Sequence, residues 1–268
     1  MNIAVIVTTY NRADALEAVL QGYLDQDDRH FELVVADDGS TGETKSLVER
    51  YRETAPFPLL HVWQEDLGFR ISASRNRALA STDAPYVIFT DGDCIPSKHF
   101  VASHRKLSEP GYFLSGNRML LSESFTKEIL GGRIPIQEWG ISEWILARAR
   151  GQVNRILPLL SLPDCCRKRS PGKWEGVKTC NLSAWRKDIE SVNGFDESYT
   201  GWGLEDSDLV IRLIRSGIRH KSARFSSPVF HLWHPENDRS HLEENRKRLD
   251  AIVHSEKIRA SSGMDQCS

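Results

Sequence analysis

The chain has 268 residues, 40% hydrophobic and 27% charged, with a formal net charge of −2. That length allows one large domain or two small ones with a real core, and the charge balance excludes the broad basic field of a nucleic-acid-binding protein. Cys94, Cys165, Cys166, Cys180 and Cys267 are an odd set with no CxxC pair, which argues for reduced thiols in a cytoplasmic chain and not for a disulfide framework. The vicinal Cys165-Cys166 reads as a loop coincidence rather than a metal site.

The opening "MNIAVIVTTYNR" lacks a basic leader and a long apolar core, so it predicts a first strand, Ile3 to Val7, and not a signal peptide. Ala13, Leu16, Val19, Leu20 and Tyr23 then recur at helical spacing. "ELVVADDGS" predicts a second strand ending in a turn, and Leu47, Val48 and Tyr51 mark a second helix. "LLHVWQ" is a third strand, residues 72–80 a third helix and "YVIFTDGD" a fourth strand. Strand–helix alternation of this kind implies an α/β fold, with a Rossmann-like, mostly parallel sheet covered by helices on both faces.

Further along, "YFLSGNRMLL" predicts a strand pair, and residues 124–160 read as helical with Trp139, Trp144, Ile145 and Leu146 on apolar faces. "LPDCCRKRSPGKWEG" reads as a mobile basic loop. A helix from about Asp206 to Ser216 is closed by Gly217, and "PVFHLWHPEN" is a strand followed by a turn. A charged helix follows Ser240, and "SSGMDQCS" is expected to fray. No run approaches the ~18 apolar residues that span a bilayer.

In parallel α/β sheets, ligands lie beyond the carboxyl ends of the strands. Thr8, Tyr10 and Asn11 follow strand one, Asp37 and Asp38 strand two, Asp91 and Asp93 strand four. Bare carboxylates ending a buried strand are costly unless something positive meets them. Residues two apart on an extended chain share one side about 7 Å apart, which suits one acid on a divalent cation and the other on a hydroxyl of the same ligand. Oxygen ligands favour Mn2+ or Mg2+, the companions of phosphates; a solvated turn is the plain alternative. "VVADDGS" is either a turn with a helix cap or an acceptor for a base N–H or a ribose hydroxyl. Arg70, Arg75 and Arg77 at a helix start suit a pyrophosphate, or form a solvated face. In "GWGLEDSDLVIRL", Trp202 between glycines offers an indole to a sugar face, while Glu205, Asp206 and Asp208 complement the dipole of the helix they open. His231 and His234 follow a late strand and are metal-ligand candidates, or structural histidines.

Taken together, "VIVTTYNR", "VVADDGS", "ASRNRALA" and "FTDGDCIP" resemble, in order and approximate spacing, the family 2 inverting glycosyltransferases with the GT-A fold. "NGFDESYTGWGLEDSDLVIRL" is similar to a C-terminal motif of chondroitin polymerases and the β-1,4-galactosyltransferase group. The resemblance covers most of the chain. It implies a single GT-A domain: residues 1–117 bind the nucleotide sugar, 118–239 bind acceptor and carry the base, and 240–268 form a helical tail. It implies that Thr8, Tyr10, Asn11, Asp38 and Asp37 hold the uracil or ribose, that Arg75 contacts the nucleotide and that Asp91 meets the ribose. Asp93 would hold the Mn2+ or Mg2+ with His231, or with His234. Trp202, Gly203 and Glu205 would bind the acceptor, and Asp206 would be the base. Where the family has "WGGED", this chain has Leu204 in place of the second glycine. The reaction implied is transfer of a hexose from a UDP-sugar to a hydroxyl of a growing or lipid-linked glycan, of the lipopolysaccharide-core or capsule kind.

Three rivals stand beside it. A nicotinamide dehydrogenase would need G-x-G-x-x-G where "TTYNRAD" stands. The others are a sugar nucleotidyltransferase and a non-catalytic carbohydrate-binding protein. Trp139, Trp144, Ile156, Leu157, Leu159 and Leu160, with Arg148, Arg150, Arg155, Arg167, Lys168 and Arg169 nearby, suit peripheral contact with the cytoplasmic face of an anionic inner membrane. Core helices beside a solvated basic loop are the alternative.

Overall fold

The structure is a computed structural model describing residues 1–132, 134–226 and 228–266; Cys267 and the side chain of Cys165 lie outside the described residues. β1 (Ile3–Thr9), β2 (Glu32–Asp37), β3 (Leu59–Trp63) and β4 (Tyr86–Asp91) alternate with α1 (Ala13–Leu24), α2 (Gly42–Thr54) and α3 (Ile71–Ala80). The short strands β5 (Cys94–Pro96), β6 (Tyr112–Ser115), β7 (Arg118–Leu120), β8 (Leu182–Trp185), β9 (Arg219–Ser222) and β10 (Val229–His231) follow. Among them run α4 (Phe100–Leu107), α5 (Glu123–Leu130), α6 (Ile141–Ala149), α7 (Arg186–Ser191) and α8 (Glu205–Arg215), and α9 (Leu242–Val253) comes last.

Among the described residues, seven strands form the main sheet in the order β3-β2-β1-β4-β8-β6-β9. Pairing is parallel from β3 to β4 and between β6 and β9, and antiparallel where β8 meets β4 and β6. The expected mostly parallel α/β sheet is therefore present, and it draws strands from both sides of residue 117. β1 is buried along its whole length, which explains its unbroken apolar run. Its alternating side chains send Val5 and Val7 into a core with Leu16, Val19 and Tyr23 of α1. Ile6 goes into a second core with Leu79, Phe89 and Leu209 on the other sheet face. Each such Val or Leu contributes about 1.5–3 kcal/mol by leaving water.

Register then places the chemistry. Thr8 pairs with Asp91 and Thr9 with Asp37, so the polar ends of three strands meet on one edge. In the small second sheet, β10 lies between β5 and β7, and His231 pairs with Cys94. Leu232 N donates to Asp93 O (2.8 Å), which binds the late strand to the "DGD" turn.

Several expectations are corrected. Residues 124–160 are not one helix. Gly132, Gly140 and Gly151 lie between or beyond α5 and α6, and Gly132 and Gly151 take positive φ, so the apolar spacing outruns what the backbone sustains. β6 and β7 exist but belong to different sheets. The basic loop is pinned by buried Arg167, whose guanidinium donates to Leu162 O (2.6 Å), Ser222 O (3.0 Å) and Arg224 O (2.7 Å). The tail does not fray through Gln266: Met264 N donates to Asn193 O (3.1 Å) and Glu197 N to Ser262 O (2.8 Å). Trp139 and Trp144 belong to an aromatic stack with Phe125 and Phe230, not to a surface. The exposed apolar residues in this region are Ile141, Ile145, Leu146, Leu157, Leu160 and Leu162.

Candidate active site

β4 ends at Asp91, and Gly92 and Asp93 turn out of the sheet. The straight-strand spacing expected for the two acids is thus replaced by a turn. A side chain at Gly92 would lie 2.9 Å from Thr8 O, so the close approach of two strand ends requires the glycine. Turning out takes Asp93 to the histidines. Asp93 Oδ2 lies 3.4 Å from His234 Nε2 and 3.7 Å from His231 Nε2. One ligand atom from each of the three residues falls within 4.8 Å of the other two. Burial depresses the basicity of His231, leaving a neutral imidazole with a free lone pair near neutral pH, the form that binds metal. The set fits a divalent cation, and two imidazoles with one carboxylate favour Mn2+ over Mg2+. The choice between His231 and His234 that the sequence left open is replaced by a site that presents both.

Asp91 stays at the strand end. Its Oδ1 accepts from Thr8 Oγ1 (3.1 Å) and Arg75 Nη2 (3.2 Å). Arg75 is only 1% exposed and also donates through Nη1 to Glu205 Oε1 (3.0 Å). The expected direct contact of Arg75 with a nucleotide is not what this geometry offers. Its sequence position at a helix start suggested exposure, but α3 turns it inward over the Phe195 ring, 5.2 Å from the centroid.

The two acids after β2 differ. Asp37 is buried, and its oxygens are taken by Ser40 N (2.8 Å) and His61 Nε2 (2.8 Å). Of its two readings, the turn is the one realised, so a ligand contact is not expected of it. Asp38 accepts from Gln64 Nε2 (2.5 Å) and Arg70 N (2.8 Å), and burial pushes its carboxyl up to about 6. Nearby, exposed Tyr10 donates to Asp66 Oδ2 (2.9 Å). Asn11, with φ 47°, ties its N–H to Ser40 Oγ and its Oδ1 to Thr41 N, each 2.9 Å. Asn11 thus joins the β1 end to the β2 end, and Tyr10 joins it to the segment after β3.

Glu205 and Asp206 open α8, 8% and 5% exposed. Burial and the adjacent Asp206 charge push the Glu205 carboxyl up, while Arg75 holds it down. Asp206 Oδ1 accepts from Ser207 N (2.8 Å), and Oδ2 lies 3.4 Å from Lys178 Nζ. The residue before them, Leu204, has φ 80°, a left-handed conformation that is unstrained only for glycine. Trp202 is half-buried, with Arg239 Cζ 5.1 Å from its ring centroid. Gly203, at φ 105°, gives its carbonyl to Asn245 Nδ2 (3.1 Å), which also holds Thr200 O (3.0 Å). Sequence reasoning missed Lys178 and Asn245. A lone lysine before β8 and an asparagine in a charged helix carry no local signal.

The sheet order, with its acids on one edge and the Asp–His–His cluster beside them, defines a GT-A glycosyltransferase fold. The chain belongs to glycosyl transferase family 2, whose description matches residues 4–150; a second family, described as the N-terminal domain of galactosyltransferase, matches residues 166–235. It is 30% identical to validoxylamine A glucosyltransferase of Streptomyces hygroscopicus subsp. jinggangensis, over 81% of this chain and 52% of that protein. With chondroitin synthase of Pasteurella multocida it shares 24% identity, over 81% of this chain and 23% of that one. The chain thus spans about half the length of the first relative and about a quarter of the second. Among solved structures, S. aureus TarS 1-349 in complex with UDP aligns with TM-score 0.63 at 16% identity, over 100% of this chain and 68% of that chain. A Pyrobaculum calidifontis mannosyltransferase in complex with GDP-Man and Mn2+ aligns with TM-score 0.61 at 21% identity, over 94% and 64%. At these identities the structures establish the fold.

Proposed function

We propose that this chain is a metal-dependent inverting glycosyltransferase that moves a hexose from a nucleotide sugar, a UDP-hexose, to a hydroxyl of a growing glycan of the lipopolysaccharide-core or capsule kind. The observation that carries the reading is convergence. Asp93, His231 and His234 come together from distant segments, and Arg75 bridges Asp91 to Glu205, beside Asp206. The names of the relatives support sugar transfer, glucosyl transfer in one case.

In this reading Thr8, Tyr10, Asn11 and Asp38 line the nucleotide end, and Asp91 accepts from a ribose hydroxyl. Asp93, His231 and His234 hold the cation. When bound, it supplies Lewis-acid stabilisation of the departing diphosphate. Trp202, Gly203 and Glu205 position the acceptor. Asp206 takes the proton of the acceptor hydroxyl as its oxygen forms the new bond to the anomeric carbon. The bond from that carbon to the diphosphate oxygen breaks in the same displacement. Attack from the face opposite the leaving group inverts the configuration, and no enzyme nucleophile takes part.

A panel of UDP-glucose, UDP-galactose, their N-acetyl forms and GDP-mannose, each with Mn2+ or with EDTA, tests the reading by release of nucleoside diphosphate. Metal-dependent release from at least one donor is expected; none from any donor refutes it. Among the described residues no helix is long and apolar enough to cross a membrane. Exposed Ile141, Ile145, Leu146, Leu157 and Leu160 near exposed Arg148, Arg150 and Arg155 support peripheral contact with anionic lipid, where a lipid-linked acceptor would lie. Flotation with anionic but not neutral liposomes is expected, and binding to neither removes the membrane from the account.

A further inference from the structure

Arg75 joins what the proposed function treats as two separate ends of the site. Its guanidinium is almost fully buried, so it does not itself reach a ligand. One nitrogen donates to Asp91 Oδ1 and the other to Glu205 Oε1, at 3.2 and 3.0 Å. Thr8 Oγ1 donates to the same Asp91 oxygen. Both bonds from Arg75, and that from Thr8, fall on a single oxygen of each carboxylate, Asp91 Oδ1 and Glu205 Oε1. Arg75 therefore grips each carboxylate by one oxygen and leaves the other outside its fork. The side chain of Asp91 keeps 30% of its exposure and that of Glu205 10%, so both retain an open side.

We propose that Arg75 is a positioning residue that couples donor binding to acceptor binding through this shared fork. The inference rests on the assignment of Asp91 to the donor and Glu205 to the acceptor. A planar guanidinium holding two carboxylates fixes both in orientation, as a lysine ammonium does not. One positive charge is divided between two negative ones, so each retains acceptor strength for a ligand hydroxyl. Removing the charge of Glu205 gives Arg75 wholly to Asp91 and weakens Asp91 as an acceptor. A change on the acceptor side is thus felt on the donor side, and linkage makes the effect reciprocal.

The test is titration of UDP, in the presence of Mn2+, into the wild type, Glu205→Gln, Arg75→Lys and the double variant, with thermal melts alongside. Glu205→Gln is expected to weaken UDP about five-fold, part of what a hydrogen bond to a charged group is worth, although Glu205 lies on the acceptor side. Arg75→Lys is expected to weaken UDP about ten-fold, and in the double variant Glu205→Gln adds nothing further. Asp206→Asn removes a neighbouring charge that does not touch Arg75 and leaves the Glu205 carboxylate on the fork, so it is expected not to weaken UDP. Should Arg75→Lys not fold, the contrast between Glu205→Gln and Asp206→Asn still decides the matter. A purely structural brace would lower the melting temperature of Glu205→Gln and leave its UDP affinity at the wild-type value. That result, or independent multiplying effects in the double variant, overturns the coupling. If the wild type binds neither UDP nor GDP with Mn2+, the donor assignment itself falls, and the coupling with it.

Discussion

Replacing Asp206 by Asn removes a proton acceptor and little else. Asn keeps an oxygen for the Ser207 N–H now held at 2.8 Å. The Lys178 ammonium loses a charged partner at 3.4 Å, but its side chain is 43% exposed, so the pair is worth about 1 kcal/mol or less. Loss of one of three first-turn acids at the α8 N-terminus costs a further ~0.3–1 kcal/mol. The stability loss is therefore at most about 2 kcal/mol. Loss of general-base catalysis should lower turnover by roughly 10²–10⁴-fold, about 3–5 kcal/mol in the barrier. Those two effects are read separately. Turnover is followed as nucleoside diphosphate release from the best donor of the panel, stability by urea unfolding and donor-site integrity by UDP affinity. Glu205→Gln should instead act on binding, through a raised acceptor KM together with its weakened UDP affinity, and not chiefly on turnover. Near-native turnover in Asp206→Asn together with its loss in Glu205→Gln would show that the base has been assigned to the wrong carboxylate.

The proposed cation site predicts that EDTA abolishes transfer and Mn2+ restores it. Asp93→Ala should lose both activity and the stabilisation against heat given by UDP with Mn2+, and full activity in EDTA would refute the site. Leu204→Gly should relieve about 1 kcal/mol of left-handed backbone strain, net of glycine's larger unfolded-state entropy. Leu204→Val should destabilise instead, and the opposite order in urea midpoints would contradict the strain. Asp38 has a folded pKa of about 6, above its ordinary value near 4. The folded state therefore binds a proton that the unfolded state has released. Its contribution to stability is full below about pH 4 and is lost as pH rises through about 6. Relative to Asp38→Asn, the wild type should lose up to about 3 kcal/mol over that interval. Gln64 can turn its amide to suit the variant, since its Oε1 has no partner among the described residues. Parallel pH profiles would show that Asp38 is not shifted.

Much of the edge where β1, β2 and β4 end was legible because it is local. An apolar run followed by polar residues reads as a buried strand ending at an edge, and "TTYNR", "ADDGS" and "TDGD" do so three times, the last two with acids. Parallel register then aligns those ends, as Thr8 beside Asp91 and Thr9 beside Asp37 show. What the residues alone did not decide was which internal partners hold each acid. Asp37 and Asp38 are neighbours in identical company, yet Asp37 is held by Ser40 and His61 and is 1% exposed, whereas Asp38 is held by Gln64 and Arg70 and is 5% exposed. Those partners depend on how β3 and the start of α3 pack beside β2. Arg75 read as a helix-start arginine facing the nucleotide, and only tertiary packing gives it the carboxylates of Glu205 and Asp91, 3.0 and 3.2 Å away. The pairing of β10 with β5 brings both histidines to Asp93, where sequence spacing could offer only a choice between them. Periodicity records which face of an element is apolar. Contacts between segments more than a hundred residues apart, such as Arg75 and Glu205, exist only once those faces have packed.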